Sequence, residues 1–116
     1  MKTIVAGSRN NVTYDDVEEA IKLCGWDITT VISGTARGAD YFGEQWAIKN
    51  GVSIEKYPAD WNKFGKSAGY RRNVEMAENA EALVAVWDGE SRGTQHMINI
   101  ANDKKLRVFV LHKKNK

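Results

Sequence analysis

The chain has 116 residues, 42% hydrophobic and 28% charged, a globular balance that excludes a disordered tail; one proline and ten glycines exclude collagen-like and low-complexity classes. That length builds one compact domain, read as residues 1–116, so any site sits on a single core or between copies of it. A net charge of +2 is too small to argue nucleic-acid binding from bulk electrostatics, and one cysteine with two histidines excludes a disulfide framework and a structural zinc. Nothing approaches the roughly eighteen consecutive apolar residues of a membrane span, and the apolar stretch in MKTIVAGSRN is too short for a signal peptide. The sequence therefore reads as cytoplasmic, with no membrane partner.

Five short β-rich runs appear in order: Thr3 to Ala6, Ile28 to Ser33, Val52 to Tyr57, Ala82 to Trp87 and Arg107 to Leu111. Their starts lie 25, 24, 30 and 25 residues apart, the length of a strand, a loop, a helix and a return turn. TIVA, ALVAVW and VFVL are nearly continuously apolar, as strands covered on both faces must be, whereas VSIEKY alternates as a sheet edge does. Between the runs lie four helical segments. Thr13 caps the first, with Asp16 three residues on, a Val12–Val17 staple, an apolar stripe of Val17, Ala20, Ile21 and Cys24, and a stop at Gly25. The second runs from about Ala39 to Asn50 with Phe42, Trp46 and Ala47 inward, the third from about Ser67 to Ala80, the fourth from about Thr94 to Asn102. Lysines scatter over helix faces and the terminal LHKKNK, read as a solvated tail.

Five strands alternating with four helices imply an α/β domain: a five-stranded parallel sheet with right-handed crossovers and helices on both faces. With the third strand at an edge, the order is 3-2-1-4-5, and a ligand crevice opens at the carboxyl ends of strands one and four, where the winding reverses. Three loops there repeat one chemistry: Gly7-Ser8-Arg9-Asn10, then Ser33-Gly34-Thr35-Ala36-Arg37-Gly38-Ala39-Asp40, then Trp87-Asp88-Gly89-Glu90-Ser91-Arg92-Gly93-Thr94. Each joins glycine, a hydroxyl and an arginine just before a helix. Glycine admits a ligand to the backbone, helix-start amides and hydroxyls hold anionic oxygens, and arginine forks onto phosphate.

In this reading Gly7, Ser8, Gly34, Thr35, Gly93 and Thr94 cradle phosphates and Arg9, Arg37 and Arg92 neutralise them, while Asp40 and Asp88 are candidate acceptors for ribose hydroxyls. A fourth loop, Pro58 to Gly69, is long for so small a domain and is followed by Tyr70-Arg71-Arg72-Asn73. It offers Trp61 as a base stacker, with Trp87 as the other candidate, and Lys66, Arg72 and Asn73 at the same rim. None of these loops carries the GxGxxG dinucleotide fingerprint, and Gly65-Lys66-Ser67 lacks the earlier glycine of a Walker motif.

These loops, with Pro58-Ala59-Asp60-Trp61, Gly65-Lys66-Ser67-Ala68-Gly69, Arg72-Asn73 and Met76, resemble the YspA/YpsA-related branch of the SLOG superfamily, over nearly the whole chain. The resemblance implies a Rossmann-like three-layer fold and recognition of a nucleotide or nucleotide-derived ligand, such as ADP-ribose, an NAD derivative or a signalling nucleotide, by a sensor or sponge. That superfamily is named for the Smf/DprA proteins and the LOG enzymes, and it includes phosphoribohydrolases and single-strand DNA binders. An N-glycosidic hydrolase and a single-stranded DNA module therefore stand as alternatives. In the LOG pattern PGGxGTxxE the last glutamate is hydrolytic, and here that position is Met97, with His96 read as an exposed histidine. No metal or required cofactor is expected beyond the ligand itself, and the apolar last strand leaves a homo-oligomer open.

Overall fold

In the computed structural model, which describes residues 1–113, the apolar runs TIVA and ALVAVW become β1 (Lys2–Gly7) and β4 (Ala82–Trp87), the inner strands of the sheet. The other strands are β2 (Thr30–Ser33), β3 (Ser53–Lys56) and β5 (Arg107–His112). All four pairings are parallel and the order is β3-β2-β1-β4-β5, the order that the spacing and the alternating VSIEKY run require. The architecture is a single α/β domain with five parallel strands and helices around them.

Because successive side chains on a strand point to opposite faces, each inner strand feeds two cores. Ile4, Ala6, Leu83 and Ala85 pack on one face with Met76, Met97 and Ala101 from α4 (Ala68–Glu78) and α5 (Arg92–Asp103). Val5, Val84 and Val86 pack on the other with Val17, Ala20 and Ile21 of α1 (Tyr14–Cys24) and Ala39 and Ala47 of α2 (Ala39–Lys49). Gly43 of α2 lies on Val5, where a Cβ would come within 2.7 Å of the valine side chain, so its smallness brings the helix down onto the sheet. The capping box read at Thr13 is present: its hydroxyl accepts from the Asp16 N–H at 3.2 Å and Asp16 accepts from the Thr13 N–H at 3.0 Å, while Gly25 closes the helix at φ 86°.

Two sequence expectations change. The segment after β3 is not an open loop: Asp60 accepts from the Lys63 N–H at 3.0 Å and caps the short helix α3 (Trp61–Phe64), and a 3-10 turn over Gly65–Ser67 runs straight into α4. The extra turn is legible afterwards as an Asp-x-x-Lys cap, hidden by the absence of any helical period in so short a stretch. Secondly, the C-terminal lysines are not all solvated. Lys113 donates from its backbone to the Trp87 carbonyl at 2.8 Å and pairs through Nζ with Asp16 at 3.1 Å; residues 114–116, the rest of that tail, lie outside the described residues. Among the described residues no helix is long and apolar enough to cross a membrane.

Leu83, on the face of β4 that packs under α4 and α5, is fully buried, so Leu83→Ala removes packed methyls and leaves a cavity. It is expected to cost about 2–5 kcal/mol in urea unfolding, against about 0.5 kcal/mol or less for Leu23→Ala on the exposed side of α1.

Candidate functional site

Gly7 ends β1 beside the Val86 carbonyl of β4, and a Cβ at Gly7 would overlap that oxygen. The bare backbone lets Ser8, itself fully buried, join three segments. Its N–H donates to Val86 O at 2.9 Å, its hydroxyl accepts from the Asp88 N–H at 3.0 Å, and its carbonyl accepts from the Ala39 N–H at 3.1 Å. Gly38, at φ 78°, packs on the backbone of Ser8 and Arg9, where a Cβ would stand 2.6 Å from the Arg9 Cα. The loop after β1, the loop after β4 and the start of α2 are thereby one unit, at the reversal of winding where α/β sheets bind ligands.

A crevice opens above this junction. Its inner lobe, about 70 Å³, is lined by Arg9, Asp40, Arg72, Asn73, Gly93 and Thr94 over an apolar floor of Ala6, Met76 and Met97. A single water needs roughly 10–15 Å³ of such space, so the lobe accepts a group of several atoms. An outer lobe of about 200 Å³ shares Arg9, Arg72, Asn73 and Gly93 and adds Trp61, Lys66, Gly69 and Tyr70.

The first turn of α5 borders both lobes. Ser91 caps it, its hydroxyl accepting from the Thr94 N–H at 3.4 Å and meeting the Thr94 hydroxyl at 2.9 Å. Among the described residues the Arg92 and Gly93 amides make no hydrogen bond, and open space lies where a Gly93 Cβ would stand. Two orphan amides at the positive end of a helix macrodipole thus remain approachable.

Arg72 reaches in from α4. Its Nη1 donates to the Gly34 carbonyl and its Nε to Asn73 Oδ1 at 3.1 Å. Asn73, buried, donates to the Gly93 carbonyl at 3.3 Å and lies 3.2 Å from His96 Nδ1. Gly34 is small because both charged groups crowd it: a Cβ there would meet Arg72 Nη1 at 2.5 Å and Asp40 Oδ2 at 2.8 Å. Asp40 is 6% exposed and its Oδ2 accepts from the Ala36 N–H at 3.2 Å. Burial pushes its pKa up to about 6, opposed by the Ala36 hydrogen bond and by the charges of Arg72 and Arg9. Among the described residues Asp40 forms no ion pair.

The structure brings together Gly7, Arg9, Ala36, Asp40, Arg72 and Asn73 with Ser91, Gly93 and Thr94 at the inner lobe, and Trp61 and Lys66 at the outer one. Other residues read as ligand-facing are occupied elsewhere. Arg37 is exposed and donates to Asn10 Oδ1 at 3.3 Å, and Arg92 lines neither lobe. The Ser33 hydroxyl donates to Glu44 at 2.6 Å and accepts from the Thr35 N–H at 3.0 Å; Thr35 is exposed and sits at φ 64°, costly for a β-branched residue. Trp87 packs into the core and donates through Nε1 to the Ser91 carbonyl at 3.1 Å. Asp88 Oδ1 accepts from the Glu90 and Ser91 N–H groups at 2.8 and 2.9 Å, bonds that hold its carboxyl below the usual range, and Gly89 turns the chain at φ 84°. Sequence reasoning missed Tyr70, which meets His96 edge-on at 4.4 Å between centroids; His96 is half-buried, not exposed, and burial lowers its pKa.

The model of the YspA, cpYpsA-related SLOG family matches residues 1–64. The chain belongs to this family. The Gene 61 protein of Mycobacterium phage D29 is 31% identical over 118 residues, spanning 93% of this SLOG chain and 94% of that protein. Among solved structures, DNA processing protein A (DprA) from Streptococcus pneumoniae superposes with a TM-score of 0.70 at 19% identity, covering 94% of this chain and 49% of DprA. The SLOG chain thus spans about half of DprA, and shares with it the fold.

Asp40 makes stability depend on pH. Its folded pKa of about 6 lies above the unfolded value of about 3.9, so the stability it contributes is fully present below pH ~4 and lost as pH rises through ~6. Asp40→Asn keeps an acceptor for the Ala36 N–H without a charge. Between about pH 4 and 7 the wild type is expected to lose up to about 3 kcal/mol relative to Asp40→Asn in urea unfolding, the variant being the more stable at neutral pH.

Proposed function

We propose that this SLOG domain binds a phosphorylated, nucleotide-derived ligand, acting as a sensor or sponge rather than as a hydrolase. What carries the reading is one convergence: Arg9, Arg72 and the open first turn of α5 meet at an inner lobe that continues into an outer lobe bordered by Trp61 and Tyr70. Phosphate fits the inner lobe, where two guanidinium groups and unpaired helix-start amides supply charge-assisted hydrogen bonds. A base fits the outer lobe. Trp61 is 52% exposed and its ring edge lies 3.4 Å from the Cβ position of Gly69, so one side of the indole leans on the start of α4 and the rest is offered to solvent. Stacking a base there is worth about 1–3 kcal/mol.

One feature favours binding over hydrolysis: Met97, buried in the floor at the position of the LOG glutamate, has no proton to transfer. A single-stranded nucleic acid end is the second reading, favoured by Lys66 at the outer rim and by the exposed Arg71. Oligonucleotide binding that falls steeply with salt while mononucleotides fail to compete would establish it in place of the first.

With AMP as probe, Trp61 fluorescence is expected to change on titration, and Arg9→Ala to weaken binding about 10- to 100-fold. Arg37→Ala and Arg107→Ala, whose side chains lie outside the crevice, are expected to stay within about twofold. Equal losses at all three would mean that diffuse charge holds the ligand. Prolonged incubation with AMP is expected to release no free adenine, and release would restore the hydrolase.

A further inference from the structure

Carboxylates near the crevice are mostly committed. Asp88 is used by two backbone amides, and Glu44 takes the Ser33 hydroxyl on one oxygen and Lys56, at 3.6 Å, on the other. Asp40 differs. One of its oxygens accepts from the Ala36 N–H, whereas Oδ1 has no partner among the described residues, and the residue lines the inner lobe while nine-tenths buried. A neutral asparagine would accept the same Ala36 N–H without the cost of desolvating a charge, so the Ala36 contact does not call for a carboxylate, whose charge faces Arg9 and the half-buried Arg72 instead. Nor does phosphate, which an anion at that wall repels. A ligand satisfies the whole lobe only if it presents an anion to Arg9, Arg72 and the start of α5, and a hydrogen-bond donor to Asp40.

We propose that Asp40 accepts a hydrogen bond from a sugar hydroxyl, so that the crevice selects a phosphorylated ribose over a bare phosphate or a deoxy sugar; this rests on the phosphate-binding reading above. The free Oδ1 is the acceptor, and Arg72, which crowds Gly34 together with Asp40, keeps the carboxylate charged enough to accept strongly. The effect is a specificity filter: the arginines bring in any phosphate ester, and Asp40 penalises those that cannot donate, because its oxygen is then buried unpaired and facing an anion.

Calorimetric titration at about pH 7.5, where Asp40 is ionised, tests this with inorganic phosphate, AMP, 2′-deoxy-AMP and 3′-deoxy-AMP. The wild type is expected to prefer AMP over at least one deoxy analogue by about 10- to 100-fold. Asp40→Ala is expected to abolish that preference and weaken AMP, yet to bind inorganic phosphate more tightly by removing the repulsion; Asp40→Asn, which keeps the Ala36 contact, is expected to show a smaller preference and the same tightening for phosphate. Opposite signs for AMP and phosphate are what a merely structural role would not produce. Equal binding of all three nucleotides by the wild type, or parallel weakening of AMP and phosphate in both variants, overturns the role of Asp40 while leaving the phosphate site standing. Failure of every probe, phosphate included, overturns both.

Discussion

Gly7 and Ser8 stand where the sheet's winding reverses, and the molecule is organised by what that dipeptide holds. The missing Gly7 side chain lets β1 and β4 meet at the Val86 carbonyl, and the buried Ser8 then spends its N–H, hydroxyl and carbonyl on β4, the loop after it and the first residue of α2. Three loops that are far apart in sequence are fixed relative to one another by hydrogen bonds of 2.9 to 3.1 Å. The positions of Arg9, Asp40 and the start of α5 follow from that junction. Ser8 is wholly buried and lines neither lobe, so the loop that most resembles a phosphate cradle acts as its foundation.

Charge in the crevice is mixed, with a positive excess. Arg9 and Arg72 face a single buried carboxylate whose pKa burial raises to about 6. Arg72 is held on the Gly34 carbonyl and on Asn73, which in turn touches Gly93 and His96, so α4, α5 and the loop after β2 share one polar network. Such networks rigidify a site when every member is satisfied. Within the crevice, among the described residues, Asp40 Oδ1, the Arg9 guanidinium and the first amides of α5 have no hydrogen-bond partner, and a ligand there would complete them.

The sheet order was legible in the sequence because period and spacing act over many residues: continuous apolar runs mark inner strands, VSIEKY marks an edge, and the remaining order follows from crossover handedness. The first helix was legible to the residue, since Thr13, Asp16 and Gly25 act locally. The crevice was legible as a set of loops but not as a set of side chains. Whether an arginine in a glycine-rich loop turns inward depends on tertiary neighbours: Arg37 finds Asn10 outside, and Arg72, one helical turn into α4, reaches Gly34 across the crevice. Ser8, Ser33, Asp88 and Trp87 have the right chemistry for a ligand, yet backbone amides, a carbonyl or Glu44 occupy them first, and no local pattern announces such partners. α3 escaped notice because four residues carry no period.

The proposed site receives its ligand at the carboxyl edge of the sheet, between α5 and Trp61. Amide and indole proton–nitrogen spectra recorded during titration with AMP test it directly. The largest shifts are expected at the Arg92 and Gly93 amides and the Trp61 indole. At the opposite edge, Trp26 and Trp46 line a separate open groove with Ile28 and Asn50. Shifts concentrated at the Trp26 and Trp46 indoles, with Gly93 and Trp61 unmoved, would contradict it.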